Sequence, residues 1–310
     1  MSRLRILIES YVFILILAIA VAILFPQNLK PIFVYVPLIL SAILFLASIK
    51  LDPIQVFSEI RNIKLIFAIS LFMMVVLPVL VYFIANFFIP NYALALLLLT
   101  AMPVGMTAPL LTELAGGKVS FSLLFVVITS LIAPFTIPLV LKLLIGHDVS
   151  LSFVDMFIKL STIIFIPFFL AQTIRFFFYR KIHTTFWTFK PIAIVLLGFL
   201  IAGVVANQAE IITTNLISFF PALMVMSSYF LLVPYLILGI TKKYDISTRV
   251  SIAVSVTFTN FTLAIYLASH FFSQPNVLIP TILTVLPWSL AFIPFKYIAL
   301  KMTGNIKIDN

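Results

Sequence analysis

The sequence predicts an all-α polytopic membrane protein of ten transmembrane helices, and three observations carry that prediction. Of 310 residues, 64% are hydrophobic and 9% charged, whereas a soluble domain averages about 25% charged and 45–50% apolar. The apolar runs are continuous over about 20 residues, the length an α-helix needs to cross a bilayer, and lack the roughly ten-residue alternation of a β-barrel. The basic residues sit between those runs and segregate to one side of them. At a mean hydropathy of +1.28, a soluble enzyme or a disordered chain is excluded.

Breaking the chain at polar and Pro/Asn-rich points places the spans at 6–25, 32–49, 64–88, 92–115, 119–145, 152–177, 189–207, 212–240, 247–271 and 277–301. Span 1 follows Arg3 and Arg5 as a signal peptide would. It is long enough to cross, however, and ends in Phe25-Pro26-Gln27-Asn28 without a good cleavage site, so it is expected to stay as a helix. Span 2 opens on Leu29-Lys30-Pro31-Ile32. The segment from Asp52 to Asn62 is short and amphipathic, suited to an interfacial helix. Span 4 contains Pro103 and Pro109, span 5 Pro134 and Pro138, and span 6 a pair four residues apart, Asp155 and Lys159, expected to form a helical ion pair. Span 7 opens on Phe189-Lys190-Pro191-Ile192, and span 9 is dense in hydroxyls. Trp187, Trp288 and Tyr92 suit interfacial aromatics.

The positive-inside rule tests the span count. With a cytoplasmic N-terminus, the inner side receives Arg3, Arg5, Lys50, Arg61, Lys64, Lys118, Arg175, Arg180, Lys181, Lys190, Lys242, Lys243, Arg249, Lys296, Lys301 and Lys307. The outer side receives only Lys30, Lys142 and Lys159. A missed or extra helix would scramble this segregation, so both termini are expected in the cytoplasm of a prokaryotic-type inner membrane. The Lys-Pro-Ile openings of spans 2 and 7 lie 160 residues apart, on opposite sides. With five spans per half, they predict two inverted repeats, residues 1–148 and 149–310.

Span 4 reads Thr100-Ala101-Met102-Pro103-Val104-Gly105-Met106-Thr107-Ala108-Pro109. Each proline removes a backbone donor and crowds the preceding turn. The stretch is therefore expected to break the helix at mid-membrane, an ordinary proline kink being the alternative. Such backbone survives there only buried in protein or lining a wet cavity. The 160-residue offset points to a counterpart near residue 263, where Ser255-Val256-Thr257-Phe258-Thr259-Asn260-Phe261-Thr262 stands. Hydroxyls and an amide here read either as helix–helix glue or as a second broken helix crossing the first. Paired breaks in both halves point to a midplane binding site, whose freed N–H groups suit anions.

The sequence has no cysteine, and no ionisable residue falls at the centre of any span. Catalysis, a metal site on His147, His183 or His270, and a nucleic-acid partner are not expected; the net charge of +10 reports topology. Glu113, beside Gly116-Gly117-Lys118, is expected as a cytoplasmic cap. No obligate protein partner is indicated beyond the lipid bilayer.

These features together resemble the bile acid:sodium symporter family. The likeness rests on Pro103-x-Gly105, Thr112-x-Leu114-Ala115-x-Gly117, Thr129-Ser130-Leu131-Ile132-Ala133-Pro134-x-x-x-Pro138 and Asn260-x-x-Leu263-Ala264. It implies panel and core domains, crossed broken helices 4 and 9, and sodium symport of a small or amphipathic organic anion, with sodium as coupling ion and no other cofactor. The implied substrate site is Pro103, Gly105, Met106, Thr107, Ala108, Pro109, Thr112, Thr257, Phe258, Thr259, Asn260 and Phe261, with Phe258 and Phe261 as apolar contacts. The implied sodium site is Ser122, Ser130, Ser255, Val256 and Thr259. The family's span-9 glutamate is Ser255 here, so any such site is neutral. An uncoupled facilitator or efflux carrier of the same fold is the alternative within transport, and a membrane enzyme or scaffold the alternative outside it. Span 9 is also similar to that of arsenite-efflux permeases, whose thiolate this chain lacks.

Overall fold

The computed structural model describes residues 11–146, 152–272 and 274–304. The predicted start of span 1 at residues 6–10, His147 and the repeat boundary at 148–149 lie outside them. Helix α1 is Tyr11–Leu24. A single turn, Pro26–Leu29, and a 3-10 stretch, Lys30–Tyr35, lead into α2, Val36–Ser48. Helix α3 is Pro53–Ser58, capped by Asp52, whose side chain accepts from the Ile54 amide. Helices α4 (Ile63–Leu71) and α5 (Leu77–Phe88) are joined by a π-helical turn, Phe72–Val76. Pro78 supplies no N–H to the carbonyl four residues back, and widening the preceding turn accommodates this.

The chain continues through α6 (Pro90–Thr100), α7 (Ala108–Leu114) and α8 (Val119–Ile145). Then come α9 (Phe153–His183), α10 (Phe186–Asn207), α11 (Ala209–Asn215) and α12 (Phe220–Ile240). Helices α13 (Ile246–Thr257), α14 (Phe261–Phe271), α15 (Pro275–Leu283) and α16 (Val285–Met302) complete it.

Seven segments of the described chain are helical, long and apolar enough to cross a membrane: Pro26–Ser48, Ile60–Phe88, Val119–Ile145, Phe153–His183, Phe186–Asn207, Ile217–Ile240 and Pro275–Met302. Four shorter apolar helices, Phe13–Leu24, Pro90–Thr100, Ile246–Thr257 and Phe261–Phe271, accompany them. Phe87, Phe176 and Ile217 are 81%, 81% and 89% exposed. Large apolar side chains this bare are a liability in water and are solvated by acyl chains in a bilayer. The protein is a polytopic membrane protein.

Helix α10 packs against α1 and α2, and α9 against α2. Helix α8 packs on α7, α13, α4 and α9, while α6 lies against α5, α14 and α15. The C-terminal end of α2 is held from α9. Gln172 Nε2 donates to the Ser48 carbonyl at 2.7 Å, and the buried Arg175 donates to the Ile49 carbonyl at 3.0 Å, with Asp52 3.6 Å away. A cation at a helix C-terminus meets the unpaired carbonyls there. The Asp155–Lys159 ion pair forms at 3.0 Å.

Candidate functional site

The α6–α7 connection, residues 101–107, and the α13–α14 connection, residues 258–260, meet at the centre of the fold. The Gly105 amide donates to the Phe258 carbonyl at 3.1 Å, and the Asn260 amide donates to the Pro103 carbonyl at 2.8 Å. Val104 and Thr259 thereby form an isolated antiparallel bridge. Buried backbone N–H and C=O groups must be paired, and each connection supplies one donor and one acceptor to the other. The Thr259 hydroxyl donates to the Leu99 carbonyl at 3.0 Å, the end of α6. The Val104 amide donates to Thr129 Oγ1 at 3.1 Å, and that hydroxyl donates to the Phe125 carbonyl at 2.7 Å.

Gly105 is required by distance. A Cβ there would stand 2.8 Å from the Phe258 oxygen and 3.1 Å from the Thr259 oxygen, both backbone atoms. A second tie holds the two segments further along. Gly116, at φ +76°, ends α7 in the left-handed region that favours glycine. The Lys118 amide then donates to Ser251 Oγ at 2.7 Å, and Lys118 Nζ pairs with Asp245 at 3.0 Å. Asp245 also caps α13 through Thr248. Burial pushes its carboxyl up, but the hydrogen bonds from Thr248 and Lys118 outweigh this and hold it below the usual value.

A cavity of about 380 Å³ lies between these interruptions and the α2–α10 face. Of the predicted substrate residues, Gly105, Met106, Thr107, Pro109, Thr259, Asn260 and Phe261 line it. Pro103, Ala108, Thr112, Thr257 and Phe258 do not. Phe258 is fully buried in an aromatic cluster with Phe230, Trp288, Phe292 and Phe295. Two of the positions expected to offer free N–H groups near Thr107–Pro109 do not. The Ala108 N–H donates to the Gly105 carbonyl at 2.8 Å, and Pro109 has none. Asn260 Oδ1 accepts from the Leu263 amide and from the Thr262 hydroxyl. What Asn260 offers a ligand is therefore its amide NH2.

The residues expected around sodium separate into two places. Ser122 and Ser255 are fully buried, their hydroxyls 3.2 Å apart. Val256 is buried beside them in sequence, and Thr259 is spent on Leu99. Ser130 instead borders a small groove with Ile164, Phe165 and Phe168 of α9. The hydroxyls of Thr112 and Thr257 are buried without a hydrogen-bond partner. Among the described residues no group of three His, Asp or Glu converges as a metal site.

The cavity also has walls that sequence reasoning did not assign. Lys50, Gln55, Glu113, Lys190 and Trp288 line it. Trp288, expected at a membrane interface, is 5% exposed and packs against Phe261 with ring centroids 5.0 Å apart and planes tilted by 60°. Lys50 Nζ sits 5.9 Å from the Phe189 ring centroid. Burial, and then the neighbouring Lys190 ammonium, hold the Lys50 amine below its ordinary value. The repeated Lys-Pro-Ile opening of span 7 was the signal in the sequence for Lys190.

The cavity lies against two helix-to-helix connections that bond each other within an apolar helical bundle, and comparison with known proteins gives the class. The model of the SBF-like CPA transporter family matches residues 9–193. The chain belongs to this transporter family. It is also similar to the rice (Oryza sativa subsp. japonica) protein described as "Probable sodium/metabolite cotransporter BASS1, chloroplastic". The two are 24% identical over 189 residues, 61% of this chain and 46% of that relative. The chain spans about half the length of this curated relative.

Proposed function

We propose that the protein is a secondary transporter that carries a small or amphipathic organic anion across the membrane by alternating access, in symport with sodium. The observation that carries this reading is the pair of interruptions bonded to each other beside a cavity walled on its far side by α2 and α10. In it, α6 pairs with α7 and α13 with α14 across their interruptions, which brings the spans to ten in two inverted halves, 1–148 and 149–310. Helices α1, α2, α9 and α10 act as a panel, and the rest as a core. A rigid-body shift between them opens the cavity to one side and then the other. Lys50 and Lys190 in the cavity lining are residues that the positive-inside rule assigns to the cytoplasmic side, which supports an inward-facing state. Both termini lie in the cytoplasm of a prokaryotic-type plasma membrane.

Sodium as the coupling ion is supported by the family likeness and by the rice relative's description. It is supported too by buried hydroxyls on α7, α8 and α13. The Thr112 and Thr257 hydroxyls, buried and unpartnered, are what an added oxygen-seeking cation would satisfy, and Ser255 stands on the same helix as Thr257 with Ser122 of α8 beside it. A second reading, an uncoupled facilitator, is favoured by one observation. Ser122 and Ser255 bond each other, and neither α8 nor α13 carries an Asp or Glu.

The test is uptake of a panel of radiolabelled organic carboxylates into proteoliposomes under an imposed sodium or potassium gradient. Accumulation above equilibrium under sodium alone, abolished by Asn260→Ala, is expected. Equilibration indifferent to the cation indicates the facilitator, and no uptake of any carboxylate contradicts the anion reading.

A further inference from the structure

The amphipathic segment between α2 and α4 carries apolar and charged side chains that the transport reading leaves unused. Ile54, Phe57, Ile60 and Ile63 recur every third residue and are all exposed, Ile54 by 81% and Phe57 by 65%, while Val56 between them is buried. Arg61, in the 3-10 turn Ile60–Asn62, and Lys64, in the first turn of α4, alternate with them in sequence and are exposed too. We propose that residues 53–64 are a docking surface for an anionic phospholipid, with Arg61 and Lys64 on its phosphate and Ile54, Phe57 and Ile60 among the adjoining acyl chains. The site stands apart from the cavity's cargo and does not depend on what that cargo is.

Charge, depth and anchoring support this. The two acidic side chains of the segment are engaged by the protein. Asp52 caps α3 and lies 3.6 Å from Arg175 of α9. Glu59 accepts from Ser120 Oγ of α8 at 2.8 Å and from Asn62 Nδ2 at 2.7 Å. The charge turned outward is therefore chiefly that of Arg61 and Lys64, which is complementary to a lipid phosphate. The apolar span that starts here, Ile60–Phe88, has 29 residues. At about 1.5 Å each it exceeds the roughly 30 Å hydrocarbon core, so its first turns, with Arg61 and Lys64, reach the headgroup layer. Basic side chains at that depth attract anionic lipid, and exposed Ile and Phe on the same segment enter the acyl boundary. The ties to α9 at one end and α8 at the other fix the segment before any lipid arrives, which lowers the ordering cost of binding.

The sequence has no cysteine, so a bimane label on Ser58→Cys, an exposed position of α3, reports on this surface alone. The labelled protein is reconstituted in phosphatidylcholine vesicles in which about one lipid in five is phosphatidylglycerol. A quenching nitroxide is carried near the headgroup end of the acyl chain, either on the phosphatidylglycerol or on an equal amount of the phosphatidylcholine. A basic residue at an anionic membrane surface is worth about fivefold in preference. Nitroxide phosphatidylglycerol should therefore quench at least about twice as strongly as nitroxide phosphatidylcholine. Arg61→Gln with Lys64→Gln should bring that ratio to about one. Arg180→Gln with Lys181→Gln, which removes the same charge from the exposed end of α9, should leave it unchanged. Quenching by nitroxide phosphatidylcholine should persist in every variant, which shows the segment still seated among acyl chains. A parent ratio of one overturns the lipid site, as does a ratio that ignores Arg61→Gln with Lys64→Gln or falls equally in the α9 control. Quenching by neither lipid overturns the interfacial seating as well and leaves the apolar stripe to a protein partner.

Discussion

The Gly105 amide donates to the Phe258 carbonyl at 3.1 Å, joining two segments more than 150 residues apart in sequence. A Cβ on Gly105 would meet that same oxygen at 2.8 Å. A single position thus combines a hydrogen bond with an approach only glycine permits. Gly105→Ala should force the two interruptions apart. A loss of about 1–3 kcal/mol is expected, as for overpacking elsewhere. Transport should fall by at least about tenfold, because the site is displaced rather than removed. Melting temperature and initial uptake rate, measured on one preparation, check both.

Thr129 holds the first interruption from outside the pair by accepting from the Val104 amide. Thr129→Val keeps the shape and strands a buried donor, which costs about 1–3 kcal/mol. Thr129→Ser keeps the acceptor and should recover most of that. Denaturation of both variants in a neutral detergent distinguishes a lost hydrogen bond from lost packing.

Phe258 and Phe261 stand three residues apart with different surroundings. Phe258 is fully buried among aromatic rings, whereas Phe261 lines the cavity. Phe258→Ala should cost about 3–5 kcal/mol and leave the KM of the surviving protein nearly unchanged. Phe261→Leu should raise KM with little change in melting temperature. The reverse pattern would place the cavity on the wrong side of this segment.

Acid should weaken the tie between α7 and α13. The Asp245 carboxyl lies below its ordinary value of 3.8 in the folded protein, so its stabilisation is complete above that value and drains away as pH falls through the lower folded one. Asp245→Asn keeps a capping side chain and deletes the charge. Its deficit at neutral pH should be under about 1 kcal/mol, since the ion pair with Lys118 is largely exposed. That deficit should shrink as pH falls below 3.8. Melting curves of the two proteins between neutral pH and pH 3 read it.

The prolines, glycine and hydroxyls of spans 4 and 9 marked the interruptions, because the loss of a helical donor is a local matter that composition records. The partner of each freed amide was not legible. Gly105 to Phe258 and Asn260 to Pro103 are pairings of tertiary origin, each with a partner more than 150 residues away in the sequence. Side-chain direction was lost for the same reason. In residues 258–260 the backbone follows neither helix nor strand period, so nothing in the order Phe258-Thr259-Asn260 says which side chain faces the cavity. Trp288 was misplaced because its tryptophan suits an interface equally well, and only packing against Phe258 and Phe261 shows it buried. Lys50 was read as a topology marker, and only the fold shows it lining the cavity beside Phe189.

Alternating access about the crossed interruptions is the centre of this account, and the absence of cysteine from the sequence makes it directly measurable. Met106→Cys puts one thiol in the cavity wall. In oriented proteoliposomes, a membrane-impermeant maleimide is applied from the cytoplasmic side or from the opposite side, with sodium and carboxylate varied. The account predicts labelling from both sides, with the ratio shifted by the ligands. Labelling from one side alone under every condition would contradict it.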